Sequence, residues 1–268
     1  MKWFTVHITP CQFTSPKILL LDIETAPMVV YAFQLKTDYI SPDKIITPTF
    51  MLSWAAKWYG NDKIMSGVLS PIQAIAHDDI EICKSVHKLL DEADIVVAYN
   101  GKRFDFKKLN YRFIVNNLNP PTTYRVIDPI TTLRSRFGFD SNKLDFVNTM
   151  LGISCKTDTN FQLWADCVCG NALSLKKMVK YNENDVVILE QNYIRILPWI
   201  SNHPQTATYT NDTEVICRSC SSVNLIRTDK FNFSNLGKYR IYMCEDCKSE
   251  NMSRVNELSK NKRDSLLK

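Results

Sequence analysis

No stretch of about 18 uncharged apolar residues occurs in this 268-residue chain, so no membrane-spanning helix is expected. The opening residues, "MKWFTVHITPCQFTSP", hold no continuous apolar run of the kind a secretory leader needs, which predicts an intracellular protein. Internal repeats and low-complexity tracts are absent. An even set of cysteines is missing too: there are nine, and an odd number in an intracellular chain argues for thiols or metal ligands before disulfides. The first 216 residues carry no charge surplus, with 22 Lys and Arg against 22 Asp and Glu. The whole formal charge of +5 therefore lies from Cys217 to Lys268, where eleven basic residues face six acids. A polyanion is most attracted there, although metal-bound thiolates would offset part of the excess. What is present is ordinary globular material, 45% apolar and 23% charged, enough for one large domain with a small one, or for two modest domains.

Residues 1–16 read as an N-terminal extension with no legible role. "FMLSWAAKWYGNDKIMSGVLS" predicts two antiparallel strands around a Gly60-Asn61-Asp62 turn. "DDIEICKSVHKLLDEA" spaces Ile80, Ile82, Val86, Leu89 and Leu90 at the helical period. "DIVVAYNG" reads as a buried strand, and "FDFKKLNYRFIVNN" as the helix after it. "RVIDPITTLRSRFGF" and "KLDFVNTMLGI" suggest further helix, and "ALSLKKMVKYNENDVVILEQNYIRIL" a long one ending near Pro198. The expected fold is a mixed α/β domain over 17–200, a polar linker over 201–216, a cysteine unit over 217–247 and a polar basic tail over 248–268.

Within that frame, "KILLLDIETAP" is odd. An apolar strand ends in Asp22 and Glu24, and residues two apart on a strand point the same way. Carboxylates in such a place are normally paired, raised in pKa or bound to metal. Two further patterns accompany them: Asn100, Phe104 and Asp105 in "YNGKRFD" after the second buried strand, and Tyr181 and Asp185, four apart on one helix face, in "YNENDV". Singly each is weak, and Asp105 alone reads as an acid favoured at a helix N-terminus. Together, in this order and on these elements, they are hard to obtain by accident. Asp128 in "VIDPITTL" is best explained as an N-cap before Pro129.

"CRSC" at 217–220 and "CEDC" at 244–247 form a second constellation. Cys217, Cys220, Cys244 and Cys247 fit a tetrahedral, closed and hence structural Zn²⁺ site, without which so short a unit could hardly fold. It would present Arg218, Arg227, Lys230, Lys238 and Arg240 to nucleic acid or a protein; a solvated basic surface on a folding clip is the plainer alternative. Cys167 and Cys169 read as ordinary thiols.

"DIET", "NGKRFD" and "YNENDV" resemble, in order, the three motifs of the DEDD superfamily of 3′-to-5′ exonucleases, whose domains are RNase H-like and include DNA-polymerase proofreading domains. The family's histidine subtype would have its histidine at Lys180; the tyrosine subtype has a tyrosine at Tyr181, so the chain resembles the tyrosine variant. "FGFDSNKLDFVNTMLGI" extends the likeness, which covers about residues 17–200, and a cysteine ribbon after "IRILPWI" is similar to small stand-alone phage exonucleases. For a viral source the setting would be the host cytoplasm. The resemblance implies an RNase H-like mixed sheet flanked by helices, and two Mg²⁺ or Mn²⁺ about 3.5–4 Å apart at the reacting phosphate. By this likeness Asp22, Glu24 and Asp185 hold the first ion, Asp22 bridges to the second, and Asp105 acts near that one. Tyr181 orients the attacking water, a phenol near pKa 10 being a poor base at pH 7. Asn100 and Phe104 correspond to contacts of the terminal nucleotide, and the Thr25 backbone to its 3′ end; their alternatives are a turn Asn and a core Phe.

The implied activity is metal-dependent 3′-to-5′ hydrolysis of DNA, with RNA left open, the ribbon aiding the grip on the polymer. A replication or repair protein is the expected partner. Two other readings stand beside it: a non-catalytic nucleic-acid-binding or regulatory protein on the same scaffold, and a structure-selective endonuclease or resolvase.

Overall fold

A computed structural model describes residues 15–153, 159–211 and 213–267. It divides into two compact units, residues 17–201 and the residues from Asn202 onward.

In the first unit, β1 (Ile18–Thr25) is followed by the short β2 (Val29–Val30) and β3 (Ile45–Thr47), then β4 (Met51–Trp58) and β5 (Ile64–Val68). Helices α1 (Pro71–Ala76) and α2 (Ile80–Glu92) lead to β6 (Ile95–Val97), α3 (Asp105–Val115), β7 (Arg125–Ile127), α4 (Pro129–Arg136), α5 (Leu144–Leu151), α6 (Phe161–Val168) and the 25-residue α7 (Ala172–Ile196). The main sheet has the order β5-β4-β1-β6-β7. Its β1–β4 and β4–β5 pairs are antiparallel and its β1–β6 and β6–β7 pairs parallel, so this is the mixed α/β sheet expected.

β1 is apolar because it lies at the middle of this sheet. Leu19, Leu21 and Ile23 enter a core shared with Val86 and Leu90 of α2 and Leu109 and Phe113 of α3. Leu20, Asp22 and Glu24 point the other way by strand alternation, and share that face with their β4 partners Lys57, Ala55 and Ser53. α7 covers this face: the Ser53 hydroxyl donates to Asn182 Oδ1 at 3.0 Å, and Lys57 pairs with Glu190. Leu21 is fully buried, and truncating such a side chain to Ala costs about 2–5 kcal/mol.

The β4–β5 hairpin, α2, β6, α3 and α7 form where periodicity places them. "RVI" does not: residues 125–127 pair in parallel with β6 as strand β7, and the helix begins only at Pro129. Three residues are too few to show a strand period, so the helical pattern that follows masks them. The helix α6 was likewise unmarked in the sequence.

A buried ion pair ties this unit together. Arg112 of α3 donates to Asp79 through Nε (2.6 Å) and Nη2 (2.8 Å). Asp79 also accepts from the Met51 N–H (2.8 Å) and from Asn116 Nδ2 (2.7 Å). Burial disfavours the Asp79 carboxylate, but these donors outweigh it and hold its pKa below the ordinary range.

The second unit holds a sheet of order β10-β9-β8, built from β8 (Leu225–Ser234), β9 (Gly237–Cys244) and β10 (Glu250–Asn256), then a short α8 (Lys260–Asp264) capped by Ser259. β10 falls in the stretch expected to be a tail; it pairs antiparallel with β9, which as a middle strand has partners on both sides. Part of the expected linker is also packed. Thr206 is buried, its N–H donating to the Arg218 carbonyl (3.0 Å) and its hydroxyl to that of Cys217 (2.9 Å).

Candidate active site

Asp22 and Glu24 project from the C-terminal half of β1 on one face, and Asp185 meets them from α7. One carboxylate oxygen from each lies within 4.8 Å of the other two. Three like charges this close repel one another unless a cation joins them, and hard oxygen donors suit Mg²⁺ or Mn²⁺. The donor set therefore fits a divalent ion.

The acids are held by neighbours the sequence reading did not single out. Asn182, one turn before Val186 and three residues before Asp185, is fully buried; its Nδ2 donates to Asp22 Oδ2 at 2.5 Å while its Oδ1 accepts from Ser53. Trp164 of α6 donates its indole N–H to Glu24 Oε2 at 3.1 Å, and its ring meets that of Tyr181 edge-on with centroids 5.9 Å apart. Tyr181, nearly buried, sits one helical turn before Asp185.

Asp105 stands outside the three-acid cluster. It opens α3, is 3% exposed, and accepts from the Ile23 N–H at 3.3 Å, the residue between Asp22 and Glu24. The turn before it is specialised. Asn100 has φ +60°, and its N–H donates to Asp128 Oδ1 at 2.8 Å. A Cβ on Gly101 would lie 2.5 Å from the Ala98 Cβ, so only glycine fits there. Asp128 caps α4 through Ile130 N–H (3.3 Å) and also accepts from Lys102 N–H (3.4 Å); burial pushes its pKa up despite these donors. It thus serves both as the N-cap and as the brace of the Asn100 turn. Phe104 is 39% exposed rather than core, and Thr25 lies half-buried where the β1–β4 register shifts.

In the second unit the sulfurs of Cys217, Cys220, Cys244 and Cys247 also gather within 4.8 Å of one another. Cys217 and Cys247 sulfurs are 3.5 Å apart, and those of Cys220 and Cys244 3.6 Å. A tetrahedral Zn²⁺ with Zn–S near 2.3 Å sets sulfurs about 3.8 Å apart, so the four thiols fit it. Two matching loops present them. The Cys217 N–H donates to the Ser222 carbonyl (2.7 Å) and the Cys244 N–H to that of Ser249 (3.0 Å), with Ser221 and Lys248 left-handed at φ +62° and +61°. Asn251 Nδ2 approaches Cys217 Sγ at 3.5 Å. By contrast, burial pushes the Cys83 and Cys167 thiols up to about 12, which keeps them protonated and inert.

The five basic residues are not alike. Arg240 forms a two-pronged pair with Glu257 at 2.9 and 3.0 Å, and the Arg218 backbone is tied to Asn251 and Thr206. Arg227 and Lys230 are exposed, and Lys238 is half-buried against Phe231. Among the described residues, no helix is long and apolar enough to cross a membrane.

No curated protein matches the chain. Among solved structures, the family B DNA polymerase from the hyperthermophilic archaeon Pyrobaculum calidifontis is similar over 68% of this chain, with 14% identity and a TM-score of 0.49. The likeness spans 25% of that polymerase chain. A family model described as RNase_H superfamily matches residues 58–197, more than half of the sequence, and the chain belongs to the RNase H superfamily.

Proposed function

We propose that residues 17–201 form a metal-dependent nuclease that removes nucleotides from the 3′ end of DNA, with RNA an open alternative, and that the cysteine unit carries a structural Zn²⁺ and helps hold the polymer. The observation that carries this reading is the convergence of Asp22, Glu24 and Asp185 within 4.8 Å, with Tyr181 one turn before Asp185.

The roles divide as follows. Asp22, Glu24 and Asp185 would hold divalent cations, with Asp105 nearby through its bond to the Ile23 N–H. Bound Mg²⁺ or Mn²⁺ supplies charge neutralisation at the phosphate and an acidified water. Asn182 and Trp164 fix the rotamers of Asp22 and Glu24, so those carboxylates need not reorganise when they bind. Tyr181 positions water through its hydroxyl. Preference for a 3′ end follows from the tyrosine-variant motif order, and Asn100, Phe104 and Thr25 are the proposed contacts of that end.

The test uses 5′-labelled, 3′-tailed DNA and RNA oligonucleotides with Mg²⁺, Mn²⁺ or EDTA, beside circular single-stranded DNA. A metal-dependent ladder shortening from the 3′ end, with circles intact, is expected. Cut circles would assign an endonuclease, and intact oligonucleotides that shift on a native gel would assign a binding protein.

A further inference from the structure

The β8–β9 ribbon places aromatic rings and cations on one face. Phe231 faces Arg240, Phe233 faces Lys238, and Arg227 faces Tyr242 across the antiparallel pair. Cross-strand partners share a face, and residues two apart on a strand repeat it, so Lys238, Arg240 and Tyr242 lie in a row with the two phenylalanines beside them.

The two phenylalanines are used differently. The ring of Phe231 is taken up within the unit, with Lys238 Nζ 3.8 Å and Arg240 Cζ 3.9 Å from its centroid. Phe233, whose centroid is 6.4 Å from that of Phe231, is 70% exposed. Phe233 therefore presents most of its ring to solvent at the end of the cationic row. Charge accumulates beside it: Arg240 pairs with Glu257, Lys238 and Arg240 both lie within 3.9 Å of the Phe231 ring centre, and Arg227 stands opposite Tyr242 further along the same row.

We propose that this face binds a single-stranded segment of nucleic acid, a base stacking on Phe233 and the phosphates lying against Lys238 and Arg227. Single-stranded polymers are held by this combination, an open aromatic ring for a base and cations along the backbone, whereas a duplex keeps its base faces covered. The eleven-to-six basic excess of residues 217–268 supplies the complementary charge. The inference deepens the nucleic-acid role assigned above to the cysteine unit.

The test measures binding of a fluorescent dT12 strand and of a 12-base-pair hairpin by anisotropy, using zinc-loaded full chain without added Mg²⁺ or Mn²⁺. Phe233→Ala should weaken dT12 binding by about 5- to 150-fold, leave hairpin binding within twofold, and Phe233→Tyr should bind like wild type. Lys238→Ala and Arg227→Ala should each lower the slope of log affinity against log salt by about 0.7. Wild-type dT12 affinity in Phe233→Ala, or an equal loss on the hairpin, overturns the proposal. Hydrolysis of the p-nitrophenyl ester of thymidine 5′-phosphate, one nucleotide long, reads the acidic site separately. Its absence in wild type would strike the nuclease reading while the Phe233 result still decides this one.

Discussion

Trp164 donates its indole N–H to Glu24 Oε2 across 3.1 Å while its ring lies edge-on to Tyr181. One side chain from α6 thus orients both a candidate metal ligand and the candidate water-positioning phenol. Trp164→Phe keeps an aromatic ring, though a smaller one, and removes the donor. It should lower both Mn²⁺ affinity and the hydrolysis rate by about 10- to 100-fold, the usual cost of losing a bond that orients a ligand. Mn²⁺ titration and single-turnover kinetics on the same preparation check this; unchanged values for both remove the role.

Asn182 is the second such support, linking Ser53 of β4 to Asp22 of β1. Asn182→Ala removes the acceptor of the buried Ser53 hydroxyl and a donor to the half-buried Asp22, so stability should fall by about 1–3 kcal/mol and metal affinity with it. Denaturant melts with and without Mn²⁺ separate the two effects: the stabilisation by metal should shrink in the variant.

Tyr181→Phe retains the packing against Trp164 and loses only the hydroxyl. A rate loss of about 10- to 100-fold with Mn²⁺ binding preserved is expected, since misplacing water costs rate rather than affinity. A wild-type rate would withdraw the water-orienting role.

The Asp79–Arg112 pair gives a stability prediction independent of catalysis. Asp79→Ala would bury the Arg112 guanidinium without its partner and should cost about 3–5 kcal/mol. The folded pKa of Asp79 is depressed, so its contribution is complete above the unfolded value near 4 and is lost as pH falls through the folded value. Urea melts across pH 2 to 6 should show a steeper acid loss in wild type than in Asp79→Asn.

Removing the proposed zinc should unfold the β8–β9–β10 sheet, because the few buried apolar side chains near it, such as Ile216 and Ile241, cannot replace the four-sulfur clip. One zinc per chain released to a colorimetric chelator, with loss of strand circular dichroism, is the expected result; retention of the strand signal would mark the metal as dispensable.

Much of the acidic site was legible because its residues sit where strand and helix periods declare themselves. Asp22 and Glu24 close an apolar run, and Tyr181 and Asp185 share a helix face at a spacing of four. The supports were hidden for different reasons. Trp164 reaches Glu24 across 140 residues, from a helix whose pattern was too short to stand out. Asn182 lay in plain view beside Tyr181, and its spacing of three from Asp185 was the available signal; what it touched depended on β4. β7 was masked by the helix that follows it, and β10 by its polar outer positions, since a strand with only Asn251 buried shows no apolar alternation.

The most direct measurement is the single-turnover removal of a 3′-terminal nucleotide as Mn²⁺ is titrated, for wild type and Asp185→Asn, with bound Mn²⁺ counted by electron paramagnetic resonance. Wild type should show saturable Mn²⁺ dependence, and the variant a rate lower by roughly 10³-fold or more together with weakened Mn²⁺ binding. A variant that binds Mn²⁺ and cleaves like wild type would contradict the assignment of Asp22, Glu24 and Asp185 as the metal-holding centre.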